Sequence, residues 1–193
     1  MAPYRVKEIF HTLQGEGAQS GRAAVFLRFA GCNLSCEWCD TDFAGGDVYA
    51  TTQDLVDAVA RTWQGSFYER YVVLTGGEPA LQVTPHLVLA LHAAGFTIAI
   101  ETNGTKPLPE GIDWVTVSPK KGSPLVVTKG NELKLVHPQM DPAQFVYLDF
   151  QHFFLQPMDG PDVRANTDAA MAYCLRIPPW RLSLQIHKIL GIR

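Results

Sequence analysis

Gly31-Cys32-Asn33-Leu34-Ser35-Cys36-Glu37-Trp38-Cys39-Asp40 decides the reading of this chain. Its cysteines form a C-x3-C-x2-C run. Three thiolates on one tight loop can hold three irons of a four-iron, four-sulfur cluster, where an electron carrier supplies four cysteines. A centre one protein ligand short keeps a coordination position for a substrate or cofactor, as catalytic zinc sites do. The cysteines alone leave two other readings open: zinc completed by a distant histidine, and three free thiols. Zinc usually takes paired C-x2-C knuckles, or a knuckle followed by a histidine pair, and this run has neither. Few cysteines for the length, and no secretory pattern in Met1-Ala2-Pro3-Tyr4-Arg5-Val6-Lys7, argue against a disulfide framework.

The rest of the chain suits a soluble α/β domain. It has 193 residues, 47% hydrophobic and 18% charged, enough for one domain with a substantial core, spanning 1–193. The net charge of −3 comes without runs of like charge, so no nucleic-acid footprint is expected. No apolar stretch approaches a membrane span. A cytoplasmic protein is expected, in a compartment that keeps thiols reduced. The fourth cysteine, Cys174, falls in the apolar run Ala169–Leu175 and reads as a small buried residue of a helix.

Working outward from the cysteines, Tyr4 to Phe10 reads as a strand before a Gly-rich loop, Gln14-Gly15-Glu16-Gly17. Ala24–Phe29 is the strand that feeds the cysteine loop. Leu55, Val56, Val59 and Ala60 give helical periodicity over Thr52–Trp63, with Thr51 or Thr52 as cap. Tyr71–Thr75, Phe96–Ile100, Trp114–Val117, Leu133–Val136, Phe153–Leu155 and Arg181–Gln185 continue the strands, and Pro85–Ala94 and Thr167–Arg176 are helices. Apolar strands alternating with helices imply a parallel sheet. A full eight-fold barrel takes about 250 residues, so the expectation is an abridged, open partial (β/α) barrel of about six parallel strands.

Polar residues recur just after these strands: Thr75-Gly76-Gly77-Glu78-Pro79, Glu101-Thr102-Asn103-Gly104, Ser118-Pro119-Lys120 and Gln156-Pro157-Met158-Asp159. In β/α barrels the reactive site lies at the carboxyl ends of the strands. Each motif alone also reads as a turn. Gly76-Gly77 would let backbone approach a ligand closely, and Glu78 could accept from a cationic ammonium. The Arg28 guanidinium can clamp a carboxylate through two bonds, although a surface ion pair is its plainer reading.

Together these motifs resemble the radical S-adenosylmethionine (SAM) superfamily, and within it the 7-carboxy-7-deazaguanine synthases. The resemblance runs from Phe10–Gly17, through Phe26–Leu34 and Cys39-Asp40-Thr41, to Asn131-Glu132-Leu133-Lys134 and Gln185-Ile186-His187-Lys188. It implies a lyase of 7-cyano-7-deazaguanine and queuosine biosynthesis. That lyase contracts the ring of 6-carboxy-5,6,7,8-tetrahydropterin to 7-carboxy-7-deazaguanine with loss of ammonia, using SAM catalytically. It also implies a 4Fe-4S cluster on Cys32, Cys36 and Cys39. SAM would lie against Trp38, Cys39, Asp40, Gly77, Glu78, Ser118, Pro119, Lys120, Gln156, Pro157, Met158 and Asp159. Leu13, Gln14, Gly15, Glu16, Arg28, Thr75, His187 and the terminal Arg193 would meet the substrate, and Thr41 a magnesium ion. A flavodoxin or ferredoxin-type reductant and a homodimer are implied as well. The alternatives are another radical SAM enzyme, such as an activase that makes a glycyl radical on a partner, a non-catalytic iron–sulfur or zinc binding protein, and a regulatory binding module.

Overall fold

The computed structural model describes residues 3–193. Met1 and Ala2, where the segment read as lacking a leader begins, lie outside the described residues. The strands are β1 (Tyr4–Leu13), β2 (Ala23–Phe29), β3 (Asp47–Tyr49), β4 (Tyr71–Gly76), β5 (Thr97–Thr102), β6 (Trp114–Val117), β7 (Lys129–His137), β8 (Asp149–Pro157) and β9 (Trp180–Leu182). The helices are α1 (Thr52–Thr62), α2 (Pro85–Ala93), α3 (Val163–Arg176) and α4 (Ile186–Leu190). The strands form one sheet in the order β3-β1-β2-β4-β5-β6-β7-β8-β9. From β2 to β9 every neighbour is parallel, and β1 runs antiparallel to both β2 and β3. The sheet is open, with β3 and β9 at its edges. It has seven parallel strands, one more than the rounded expectation, and the last is only three residues long.

Alternation along the strands sorts the side chains into two faces. On the outer face Val25, Leu27, Phe29, Val72, Leu74, Ile98 and Ile100 pack beneath α1 and α2, against Leu55, Val59, Leu87 and Leu91. Each such fully buried aliphatic side chain contributes about 1.5–3 kcal/mol. A second outer cluster joins Leu133, Leu135, Leu155 and Trp180 to Ala170 of α3, and Cys174 packs on its margin. Cys174 is thus a partly buried packing residue of α3, remote from the cysteine loop. The inner face receives the alternate residues, including Phe26, Arg28, Thr75, Glu101, Lys134 and Gln156, and these line one cleft.

Local chemistry explains the boundaries. Thr51 caps α1 through a capping box: its hydroxyl accepts from Asp54 N, and the Asp54 carboxylate accepts from Thr51 N. Pairing with β2, as far as Leu13 opposite Ala23, carries β1 beyond the expected end at Phe10. A bulge between Val6 and Glu8 turns Glu8 and Phe10 toward the cleft while Val6 stays in the core. Where the last strand was expected to continue to Gln185, the chain leaves the sheet after Leu182 and forms α4. The edge strand β3 had no signal in its three residues.

Candidate active site

The cleft has a volume of about 610 Å³ and opens on the inner face at the carboxyl ends of the strands, a size typical of small-molecule sites. Cys32, Cys36 and Cys39 line one side. All three are free thiols. Their loop follows β2 and is tied at several points. Gly31 N donates to Phe43 O at 3.0 Å, and Cys39 N to Cys36 O at 3.1 Å. Asn33 Nδ2 donates to Thr105 Oγ1 at 2.9 Å, and Asn33 Oδ1 accepts from Asn103 Nδ2 at 3.1 Å. Leu34 N points at Cys32 Sγ, 3.4 Å away, an N–H···S contact of the kind that tunes cluster potentials. Burial pushes the Cys32 and Cys36 thiols up, so iron binding there must displace protons. Among the described residues no three His, Cys, Asp or Glu side chains converge on a single ion. A four-iron cube would take three thiolates at three separate corners, and this one loop brings three free thiols to the cleft.

The glycine pair lines the cleft and also packs closely on neighbouring backbone, Gly76 against Phe29 and Gly77 against the cysteine loop. A Cβ on Gly77 would collide with the Gly31 carbonyl and the Cys32 side chain. Glu78 N donates to Gly31 O at 3.0 Å. The Glu78 carboxylate corrects an expectation. It is fully buried and accepts from Thr102 Oγ1 at 2.6 Å, Asn103 N at 2.7 Å and Ala80 N at 2.9 Å. It does not line the cleft, and three of its roughly four acceptor positions are taken within the protein; it ties the end of β4 to the end of β5. Pro119, Pro157, Met158 and Asp159 likewise do not line the cleft. The other residues expected around the cofactor do: Trp38, Cys39, Asp40, Gly77, Ser118, Lys120 and Gln156. The Lys120 ammonium sits 5.2 Å from the centre of the Trp38 ring. Burial, and then the nearby Lys134 ammonium, bring Lys120 down to about 8.

The substrate-side residues Leu13, Gln14, Gly15, Glu16, Arg28, Thr75, His187 and Arg193 all line the same cleft, as does Thr41. Arg28 Nε donates to Glu8 Oε1 at 2.8 Å. Glu8 also pairs with the Arg193 guanidinium, so one carboxylate bridges the two arginines. The ion pair weighed for Arg28 is therefore real, yet it engages only Nε and leaves the terminal guanidinium nitrogens. Thr12 Oγ1 donates to the Arg193 carbonyl at 2.7 Å, and Ile186 N to Gly15 O at 3.0 Å. These bonds lay residues 185–193 along the cleft as a wall, with His187 packed over Gly15. Burial holds His187 below the usual imidazole range. Lys188 Nζ reaches Asp40 at 2.8 Å and Asp159 at 2.5 Å, which is how Asp159 joins the site. Gln185 Nε2 donates to both Glu16 Oε1 and Asp40 Oδ2, at 3.0 and 3.1 Å.

The floor joins Glu16 to two charges, Lys134 and Glu101, to which the sequence reading gave no individual role. Lys134, on the inner face of β7, donates to Glu16 Oε2 at 2.5 Å and to Glu101 Oε2 at 2.9 Å. Gln14 Nε2 donates to Glu101 Oε1 at 3.2 Å, and Gln156 Nε2 to Glu16 Oε1 at 3.1 Å. Burial alone would raise both carboxyls. For Glu16 the ammonium and the added amide donors outweigh it and hold the group below the usual range. Glu101 is left above that range by burial, with less relief from the Lys134 it shares. Lys134 itself stays fully charged, since its carboxylate neighbours outweigh burial. A signal for these residues was present: Glu132 and Lys134 alternate with Leu133 and Leu135 in a strand whose parallel neighbours predict burial on both faces.

Three comparisons bear on this geometry. Residues 27–143 match the model of the radical SAM superfamily. A 7-carboxy-7-deazaguanine synthase of Bordetella pertussis is 57% identical over 98% of this chain and 99% of its own. One from Bacteroides thetaiotaomicron is 44% identical, covering 98% of each chain. The crystal structure of QueE from Escherichia coli superposes with a TM-score of 0.74 at 29% identity, over 96% of this chain and 95% of that one.

Proposed function

The chain belongs to the radical SAM superfamily and, within it, to the 7-carboxy-7-deazaguanine synthases, and from that membership we propose how its residues share the work. The enzyme is a lyase that contracts 6-carboxy-5,6,7,8-tetrahydropterin to 7-carboxy-7-deazaguanine with loss of ammonia. A bound 4Fe-4S cluster with SAM would supply the radical chemistry of this reaction, while the protein binds, orients and shields the reactants.

We assign the cluster to Cys32, Cys36 and Cys39, and SAM to Trp38, Asp40, Gly77, Ser118, Lys120 and Gln156. Thr41, beside Asp40 at the cleft wall, would offer its hydroxyl oxygen to magnesium, a cation that takes oxygen ligands. Arg28 grips the pterin carboxylate through its terminal nitrogens while Glu8 holds its Nε. Gln14 and Glu16 face the donor-rich pyrimidine edge, where an ionised Glu16 accepts from ring N–H groups. His187, packed over Gly15, and Arg193, held by Glu8 and Thr12, wall the substrate side of the cleft. The whole chain works as one domain. A flavodoxin or ferredoxin delivers the electron, the working unit is a homodimer, and the compartment is the cytoplasm. Among the described residues no helix is long and apolar enough to cross a membrane.

One observation carries this reading: the three thiols, Arg28 and the Glu16–Lys134 pair share one cleft. The test is anaerobic incubation of reconstituted protein with SAM, dithionite, magnesium and the pterin, read by mass spectrometry. Deazaguanine product is expected, and its absence with an intact cluster overturns the reading.

A further inference from the structure

Glu132 is a buried carboxylate that makes no ion pair among the described residues. Its residue is 2% exposed. Lys134, two residues along the same face of β7, spends its hydrogen bonds on Glu16 and Glu101. The partner Glu132 does have is backbone: Oε2 accepts from Ala18 N at 2.9 Å. The adjoining amide, Gly17 N, donates to Ser183 Oγ at 3.0 Å. The turn over Gly17–Gln19 is therefore held from below at two consecutive amides. The fit is close. Gly17 has φ +65°, and a Cβ there would run into the Glu132 carboxylate.

Such a carboxylate costs stability, and an apolar residue of equal volume in its place is often neutral or stabilising. Groups kept at a stability cost cluster at functional sites. The turn lies directly after Gln14, Gly15 and Glu16, which line the cleft. We propose that Glu132 is a positioning residue: by fixing the Ala18 amide it sets where the Gln14–Glu16 loop presents its polar groups to the pterin. Lys134 completes the clamp, since it holds the Glu16 side chain while Glu132 holds the backbone two residues on. One strand thus fixes both the path and the tip of the substrate loop. This role rests on the assignment of that loop to substrate.

Glu132→Met keeps the volume and removes the acceptor, whereas Glu132→Gln keeps an acceptor and removes the charge. The measurement is equilibrium binding of the pterin, and separately of SAM, to cluster-loaded protein without reductant. Thermal unfolding and amide hydrogen exchange over residues 14–19 accompany it. Glu132→Met is expected to unfold no earlier than the parent, to bind the pterin about five- to tenfold more weakly, to bind SAM within twofold of the parent, and to exchange faster at Ala18. Glu132→Gln is expected to restore pterin binding and slow exchange. The proposal is overturned if Glu132→Met binds pterin and exchanges like the parent, if Glu132→Gln is as weak as Glu132→Met, or if SAM affinity falls in parallel. Should the parent itself not bind the pterin, the substrate assignment fails, and exchange at Ala18 still decides whether the clamp exists.

Discussion

The cysteine rim and the β7 floor face each other across the same cleft and are built on opposite plans. The rim is contiguous in sequence, partly exposed, and held by backbone contacts and neutral amides such as Asn33 to Asn103. The floor draws Glu16, Glu101 and Lys134 from three segments far apart in sequence, buries the lysine, half-buries the two carboxylates and holds them by charge, with buried Glu132 beneath on a backbone amide. The contrast teaches where preorganisation is placed. On the proposed assignment the rim would take its final geometry from iron–thiolate bonds. The floor must present hydrogen-bonding groups to an organic substrate in fixed positions, and buried ion pairs do that without outside help.

Breaking the rim should have the largest effect. Replacing Cys32, Cys36 or Cys39 by Ala is expected to abolish reductive SAM cleavage, read as loss of 5′-deoxyadenosine formation. Cys174→Ser, on α3, should leave that activity nearly intact. An equal loss at Cys174 would mean that the ligands have been misassigned. Breaking the floor should instead register in folding. Lys134→Met strands Glu16 and Glu101 as buried carboxylates with no cation between them, and about 3–5 kcal/mol of stability should be lost in denaturant titrations. A loss below about 1 kcal/mol would show that the floor is wetter and softer than its geometry implies.

A finer test uses pH. Burial lifts Glu132 to about 7 from its ordinary 4.5. Between those values the folded chain binds more protons than the unfolded one, so this residue removes stability as pH rises through that window. Glu132→Gln does not titrate. Its advantage over the parent should be small at pH 4.5, grow to pH 7 and then level off, at on the order of 1–3 kcal/mol. A gap that stays flat with pH would remove Glu132 from the set of strained floor charges. The smallest effect is expected at the seam between rim and wall. Lys188→Ala breaks two partly exposed ion pairs, with Asp40 and Asp159, and should cost under about 1 kcal/mol, less still in high salt. A larger, salt-independent loss would make the seam resemble the floor.

The same contrast marks what the sequence could disclose. The rim was legible because its ligands sit within eight residues and their spacing is set by cluster chemistry. The parallel strands were legible from apolar runs such as Tyr71–Leu74, and the cap of α1 from Thr51 or Thr52, although the Thr84 cap of α2 went unread. The floor was not, because a Glu and a Lys in a strand carry no mark of which distant charges they will meet. Only their alternation with Leu133 and Leu135 hinted at an inward polar face. Glu78 misled for a related reason: its motif places it near the site, but burial among Thr102, Asn103 and Ala80 turns it inward. The edge strand β3 and helix α4 escaped notice because three and five residues are too few to show a period.

The wall formed by residues 185–193 also sets an order of events during synthesis. The ribosome releases this stretch after every strand of the sheet. The thiols and the charged floor therefore come together while one flank of the cleft is still missing, and iron delivery at that stage meets an uncovered loop.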